Sequence, residues 1–264
     1  MQHTRTKMNM KLSAWTLAAA LLLPLAAQAQ APAKAPIKDP EFCLTCHDDL
    51  TDEKVVHPAI RNGCLDCHTN LDASVRPHKN SGKLPHGLDA KQPDLCLSCH
   101  GKLVANKKLR HPAIDMGCTG CHDQHSGKNP RMLKALPPDL CFKCHDKDDF
   151  NGKFVHGPVK AGQCVTCHEP HASDNANLLK KPGAQMCLEC HDDIKDAPHM
   201  LAGFSRKGHP IGDEKRPQPT ADPLRKGKLF YCASCHEPHR SDFDKMRRFD
   251  PNLGMGVCQK CHDK

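Results

Sequence analysis

Aromatic side chains are nearly missing from this 264-residue chain: they make up 4% of it, with one Trp and one Tyr. Leu, Ile, Val and Phe together number only 47. The hydrophobic fraction of 38% also falls below that of ordinary globular domains. Such a chain cannot fill a conventional side-chain core, and on composition alone it would be classed with disordered proteins. Long regular elements are lacking too. Twenty-two prolines and seventeen glycines interrupt every candidate helix, and no alternation of apolar and polar residues persists as a strand would need. Beyond Leu12–Ala27 there is no long apolar run, so no later segment can span a bilayer as a helix.

Cysteine is what the chain has in excess. All eighteen cysteines fall in nine copies of Cys-x-x-Cys-His. The cysteine pairs are Cys43/Cys46, Cys64/Cys67, Cys96/Cys99, Cys118/Cys121, Cys141/Cys144, Cys164/Cys167, Cys187/Cys190, Cys232/Cys235 and Cys258/Cys261. The histidines that close them are His47, His68, His100, His122, His145, His168, His191, His236 and His262. Zinc ribbons use paired Cys-x-x-Cys units but need no histidine after each one. A disulfide framework needs even cysteines but no fixed spacing. Two thiols at this spacing can add to the two vinyl groups of one porphyrin, and the adjacent imidazole then reaches the iron as proximal ligand. The motif therefore reads as covalent attachment of nine haem c groups. Nine porphyrins would supply the apolar surface that the side chains do not, and the haem-free chain is expected to be largely unfolded.

The first 29 residues read as a secretory signal peptide. Arg5, Lys7 and Lys11 form a basic start, Leu12–Ala27 the apolar stretch, and Ala27-Gln28-Ala29 a cleavage site. The apolar stretch is short for a spanning helix. The expected location is exported: periplasmic, outer-membrane-associated or extracellular, with no membrane span after cleavage. The formal net charge of +8 does not point to nucleic acid. The leader removes three positive charges, and each ferric haem with its two propionates adds about −1. The lysines are expected to pair with propionates.

Residues 30–40 form a Pro/Ala-rich linker. After it the motifs come in pairs: repeat 1 at 41–88, repeat 2 at 89–136, repeat 3 at 137–182, repeat 4 at 183–250, and a single-motif half repeat at 251–264. Insertions around 69–88 and 200–230 read as surface loops available to partners. The predicted fold is mostly irregular with short α-helices, organised around a chain of nine closely packed haems, with little or no β-sheet.

A second histidine set keeps phase with the motifs. A histidine-proline cue precedes the second motif of each repeat, at His57, His111, His156 and His209. Another histidine follows that motif at His125, His171 and His239. In repeat 1 its counterpart is His78, with His86 as a rival. With His199 these make ten histidines for nine sixth positions, His86 and His199 competing for the last iron. The haem at Cys258 has no cue after it. The methionines do not recur in phase and read as packing. Bis-histidine ligation implies low potentials.

The doubled motifs and their in-phase histidines resemble those of multihaem c-type cytochromes with doubled CxxCH motifs, a group similar to cytochrome c3 and to the cytochromes of metal-reducing bacteria. The resemblance covers about residues 41–264. It implies bis-histidine haems in a wire that carries electrons across the periplasm, through an outer-membrane porin or outside the cell. The implied partners are an inner-membrane quinol-oxidising cytochrome, other multihaem cytochromes and a porin. The expected function is a carrier or conduit, with no catalytic side chains. A multihaem reductase with one open iron and a polymeric extracellular wire are the alternatives. None of the nine motifs carries the lysine that can mark a catalytic haem.

Overall fold

The computed structural model describes residues 40–194, 221–252 and 259–262. The leader, the linker before Pro40, His199, His209, Cys258 and most of the second insertion lie outside the described residues. Regular structure is sparse. The α-helices are single turns or little more: Pro40–Leu44, Asp94–His100, Gly157–Lys160, Cys164–Cys167, Gly183–Cys187 and Cys232–Cys235. Short 3-10 turns carry Cys64–Asp66, Cys118–Gly120 and Cys141–Lys143. The described cysteine motifs sit on these turns. Two of the second motifs are entered through a glycine with positive φ, Gly63 (132°) and Gly117 (108°), where a side chain would be strained. No helix among the described residues is long and apolar enough to cross a membrane.

Among the described residues eight two-residue strands form four antiparallel ladders. They are β1 (Val55–Val56), β2 (Leu71–Asp72), β3 (Lys79–Asn80), β4 (Leu109–Arg110), β5 (Ser126–Gly127), β6 (Phe154–Val155), β7 (Ala172–Ser173) and β8 (Arg240–Ser241). Three ladders join neighbouring repeats: β1 with β5, β4 with β7, and β6 with β8. Each is extended by one hydrogen bond between histidines: His57 N–H to His125 O (2.7 Å), His111 N–H to His171 O (2.8 Å) and His156 N–H to His239 O (3.0 Å). These segments are too short for an alternating pattern to develop, so the sequence carries no strand signal for them.

The fourth ladder, β2 with β3, stays within repeat 1. It lies in the first insertion, which is therefore a folded hairpin. Its β3 follows His78 as β5 follows His125. The hairpin supplies from within repeat 1 the strand that an upstream repeat would otherwise provide.

Side-chain burial is slight. Among the described residues the buried hydrophobics are Ala73, Ala172, Ala184, Met186 and Ala233, and no large side chain is fully buried. Hydrogen bonds and short turns order this backbone without a side-chain core.

Candidate functional site: cysteine pairs and facing histidines

The motifs are helical turns closed on themselves. The histidine N–H donates to the carbonyl of the first cysteine, from 2.9 Å at His236 to 3.2 Å at His68. Residues three and four apart share a helix face, so this turn gathers both thiols and the imidazole on one side. Successive motifs lie side by side. The Cys64 thiol is close enough to that of Cys43 to raise its pKa, and the same holds for Cys96 beside Cys118, Cys141 beside Cys164, and Cys187 beside Cys232. Cys67 lies near Cys99, Cys121 near Cys141, Cys167 near Cys190, and Cys235 near Cys261. These neighbours run through the motifs in sequence order. Burial, ahead of the neighbouring thiols, pushes Cys64 up to about 11 and Cys96 up to about 12.

The described cysteines are not covered equally. Cys46, Cys99, Cys144, Cys190 and Cys261 are exposed, and the other described cysteines are half-buried. All five exposed residues are the second cysteine of the first motif in a repeat or of the terminal half repeat. The turn itself does not set this difference: Cys46 and Cys144 donate their main-chain N–H groups to Cys43 O and Cys141 O at 3.2 Å, and Cys67 and Cys121 do the same to Cys64 O and Cys118 O at 3.3 and 3.1 Å. The second motifs are better covered: Cys67, Cys121, Cys167 and Cys235 are all half-buried.

Seven motif histidines face a second histidine. The ring centroids are 6.1 Å apart for His47–His78, 6.1 Å for His100–His57 and 6.2 Å for His68–His125. They are 6.2 Å for His145–His111, 6.1 Å for His122–His171, 6.2 Å for His191–His156 and 5.9 Å for His168–His239. A metal midway between two imidazoles needs about 2.0 Å for each bond and about 1.1 Å from each nitrogen to its ring centroid, roughly 6.2 Å in all. Every pair matches this spacing within a few tenths of an ångström. No group of three or more potential ligands occurs among the described residues, so the donors form opposed pairs and not tetrahedral centres.

Protonation suits the same role. Burial first, and the facing ring second, hold His57, His111, His125, His156, His171 and His239 below the ordinary histidine value. A neutral imidazole is the form that binds metal. Main-chain carbonyls fix the tautomer. Nδ1 of His68, His122, His168 and His236 lies 2.8, 2.9, 2.8 and 2.8 Å from the carbonyls of His86, Arg131, Asn177 and Lys245. A carbonyl only accepts, so Nδ1 carries the proton and Nε2 keeps its lone pair. The residues here fit haem c: two thiols on a turn would hold the porphyrin, and the adjacent imidazole, with a second one facing it at 5.9–6.2 Å, would hold the iron.

The pairing crosses repeats. Apart from His47–His78, every pair joins one repeat to the next. The histidine-proline residue faces the first motif of the following repeat, and the histidine after the second motif faces the second motif of the preceding one. His86 is not among the facing pairs. Its side chain is exposed, its φ is 56°, and it contributes its carbonyl to His68. Arg131, Asn177 and Lys245, at φ 57°, 56° and 51°, take that place in the other repeats. The sequence does not announce these carbonyl acceptors. Their one signal is a constant offset of nine residues from the motif histidine in repeats 2 to 4. Beside His171 lies a cavity of about 290 Å³ lined by Lys102, Lys107 and Lys180 and also by Glu169 and Asp174, with Lys107 paired to Asp174 at 2.9 Å.

Opposed imidazoles beside paired thiols, repeated along a chain without a side-chain core, define a multihaem c-type cytochrome. The chain belongs to the doubled CXXCH motif family, whose model matches residues 57–105, 111–150, 156–196 and 222–264. It thus carries covalently bound haem c, and its class is one of electron-transfer proteins. Each matched unit holds the second motif of one repeat and the first of the next, leaving Cys43 ahead of the first unit. No curated protein matches the chain.

Proposed function

We propose that the protein carries nine haems, all bis-histidine and of low potential, and passes electrons along them in sequence order. The observation that carries this reading is the set of seven facing pairs at 5.9–6.2 Å. Proximity of the thiols of successive motifs supports close approach of successive haems, which one-electron transfer requires. The chain's own role is ligation, spacing and electrostatic tuning. His209, next in the series His57, His111, His156, is the sixth ligand for the iron of His262. His199 then serves the iron of His236, because the place of His86 is filled in the other repeats by residues that are not ligands.

The proposed setting is the periplasm, reached through the leader. There the protein accepts electrons from an inner-membrane quinol-oxidising cytochrome and hands them to other multihaem cytochromes, including one seated in an outer-membrane porin. Electron paramagnetic resonance of the ferric protein, with haem counted by intact mass, tests the core of the proposal. Nine haems and nine low-spin irons that ignore added nitrite and cyanide are expected. One high-spin, ligand-binding iron would favour a reductase instead.

A further inference from the structure

The second motif of each repeat is closed by the same main-chain bond, but the residue that makes it differs in charge. Asp89, Lys134, Lys180 and Arg248 donate their N–H groups to the carbonyls of Cys67, Cys121, Cys167 and Cys235 at 3.1, 2.9, 2.9 and 2.8 Å. Each stands three positions past the carbonyl that holds its motif histidine, those of His86, Arg131, Asn177 and Lys245. The places are therefore equivalent. Repeats 2 to 4 put a cation there, and repeat 1 puts a carboxylate.

The residue after the motif histidine sharpens the contrast. It is Asp123, Glu169 or Glu237 in repeats 2 to 4, one carboxylate for each cation, and Glu237 is ion-paired with Arg248. In repeat 1 it is Thr69, whose hydroxyl donates to Asp89 Oδ1 at 3.3 Å and leaves the charge in place. The motif interiors differ in the same sense: Leu65-Asp66 against Thr119-Gly120, Val165-Thr166 and Ala233-Ser234. Neither Asp66 nor Asp89 is ion-paired among the described residues. Both bear on the attachment point, since after burial Asp66, Cys99 and Asp89 in that order raise the Cys67 thiol. On the facing side, the cavity beside His125 sets Asp49, Glu53 and Asp123 against Lys128 and Lys134, which does not cancel them. Beside the eighth motif, Asp222 is paired with Arg225.

We propose that Asp66 and Asp89 hold the haem of Cys64, Cys67 and His68 at the lowest potential of the four second-motif haems, so that it is the last of the four to fill and the first to empty. Reduction adds one electron to the ferric haem, and a nearby negative charge opposes that addition. The inference rests on haem c at these motifs and deepens the electrostatic tuning proposed above; it needs no particular sixth ligand. Asp66 and Asp89 act through their field at the haem and are positioning residues.

The test uses the full holoprotein, with haem counted by intact mass. It is reduced stepwise with mediators while the amide signals of Leu65, Gly120, Thr166 and Ser234 report the four haems. The unsubstituted protein should show its lowest midpoint at Leu65. Asp89→Asn keeps an acceptor for the Thr69 hydroxyl. It should raise the ferrous-to-ferric ratio at Leu65, at fixed potential, about threefold (about 28 mV, at about 59 mV per tenfold for one electron). Asp66→Asn should do the same, and the double variant should give about tenfold. The other three reporters should hold their midpoints. The Leu65 shift should shrink in high salt, as a field effect does and a packing change does not. A Leu65 midpoint above any of the other three overturns the inference, as does no shift in either variant or an equal shift at all four reporters. Should Asp89→Asn load fewer haems, Asp66→Asn decides by the same readouts. A high-spin iron at the Cys64 haem would overturn the bis-histidine reading separately, and the midpoints would still decide this one.

Discussion

Replacing His125 with alanine should open one iron, and that iron should belong to the preceding repeat. The His125 ring stands 6.2 Å from that of His68, at the spacing of two axial ligands on one metal. His125 itself lies just past the motif of His122, whose ring faces His171. The substitution removes the ring but keeps the main-chain carbonyl that accepts from His57 N–H at 2.7 Å, so the β1–β5 ladder survives. The neighbouring His57–His100 pair also still bridges the two repeats. The fold should persist with a loss of about 2–3 kcal/mol, in the range of large-to-small substitutions at partly buried sites. One iron in nine should become high-spin and bind one cyanide per protein. Paramagnetic broadening should centre on Leu65 and Asp66, within the motif of Cys64. Broadening around Thr119 and Gly120 instead, or no cyanide uptake, would refute the cross-repeat pairing.

Two further outcomes follow from the packing. The haem-free chain should show no cooperative thermal transition, since its described hydrophobic core is four alanines and one methionine; a sharp calorimetric peak would contradict this. Near the eighth motif, burial alone would raise the Asp222 carboxyl, but hydrogen bonds from Ser234, Arg225 and the Leu224 N–H outweigh it and lower its pKa to about 2. A folded value below the unfolded one near 4 means stability that is full above about pH 4 and lost as pH falls toward about 2. Amide protection at Leu224 and Arg225, whose N–H groups both reach Asp222 Oδ1, should fall across that window. Asp222→Asn should abolish the step, and a fall already complete at pH 5 would rule out this carboxylate as its cause.

Much of the site was legible because its chemistry demands fixed residue types at fixed spacing. Nine Cys-x-x-Cys-His motifs specify attachment of haem c, and the further histidines in phase with them anticipate that imidazoles stand opposite the motif histidines. Which histidine faces which could not be read, because the partners lie in different repeats and no short-range pattern links His68 to His125. The uneven cover of the thiols was hidden as well, since Cys46 and Cys144 stand in the same motif as the half-buried Cys67 and Cys121. The ladders were illegible for a related reason: two residues are too few to alternate, and the pairing of β4 with β7 spans more than sixty positions. The first insertion read as a loop because the turn signals between β2 and β3 conceal so short a hairpin. The carbonyl anchors were hidden by Arg131, Asn177 and Lys245, which adopt a left-handed conformation more usual for glycine. There the tertiary hydrogen bond to the motif histidine overrides the local preference.

The pairing also means that no repeat is complete by itself, which a truncation makes testable. A chain ending at residue 136 keeps four motifs, those of Cys43, Cys64, Cys96 and Cys118. Three of their histidines keep their facing partners within the fragment: His47 with His78, His68 with His125, and His100 with His57. The fourth, His122, loses His171, which lies in repeat 3. His111 keeps its place but loses His145, the ring it faces. Supply and demand still balance in number, with four irons and four partners, so a model in which each repeat serves its own haems predicts four closed sites. The crossed pairing predicts three low-spin irons and one open iron at Cys118, beside an imidazole placed for a haem that is gone. The two ladders β1–β5 and β2–β3 both lie inside the fragment, so its main-chain frame is retained. Electron paramagnetic resonance with cyanide titration separates the outcomes. One cyanide bound per four haems supports transfer of ligands across repeats; none bound would mean that His111 can turn back to its own repeat, and that the pairing follows proximity more than register.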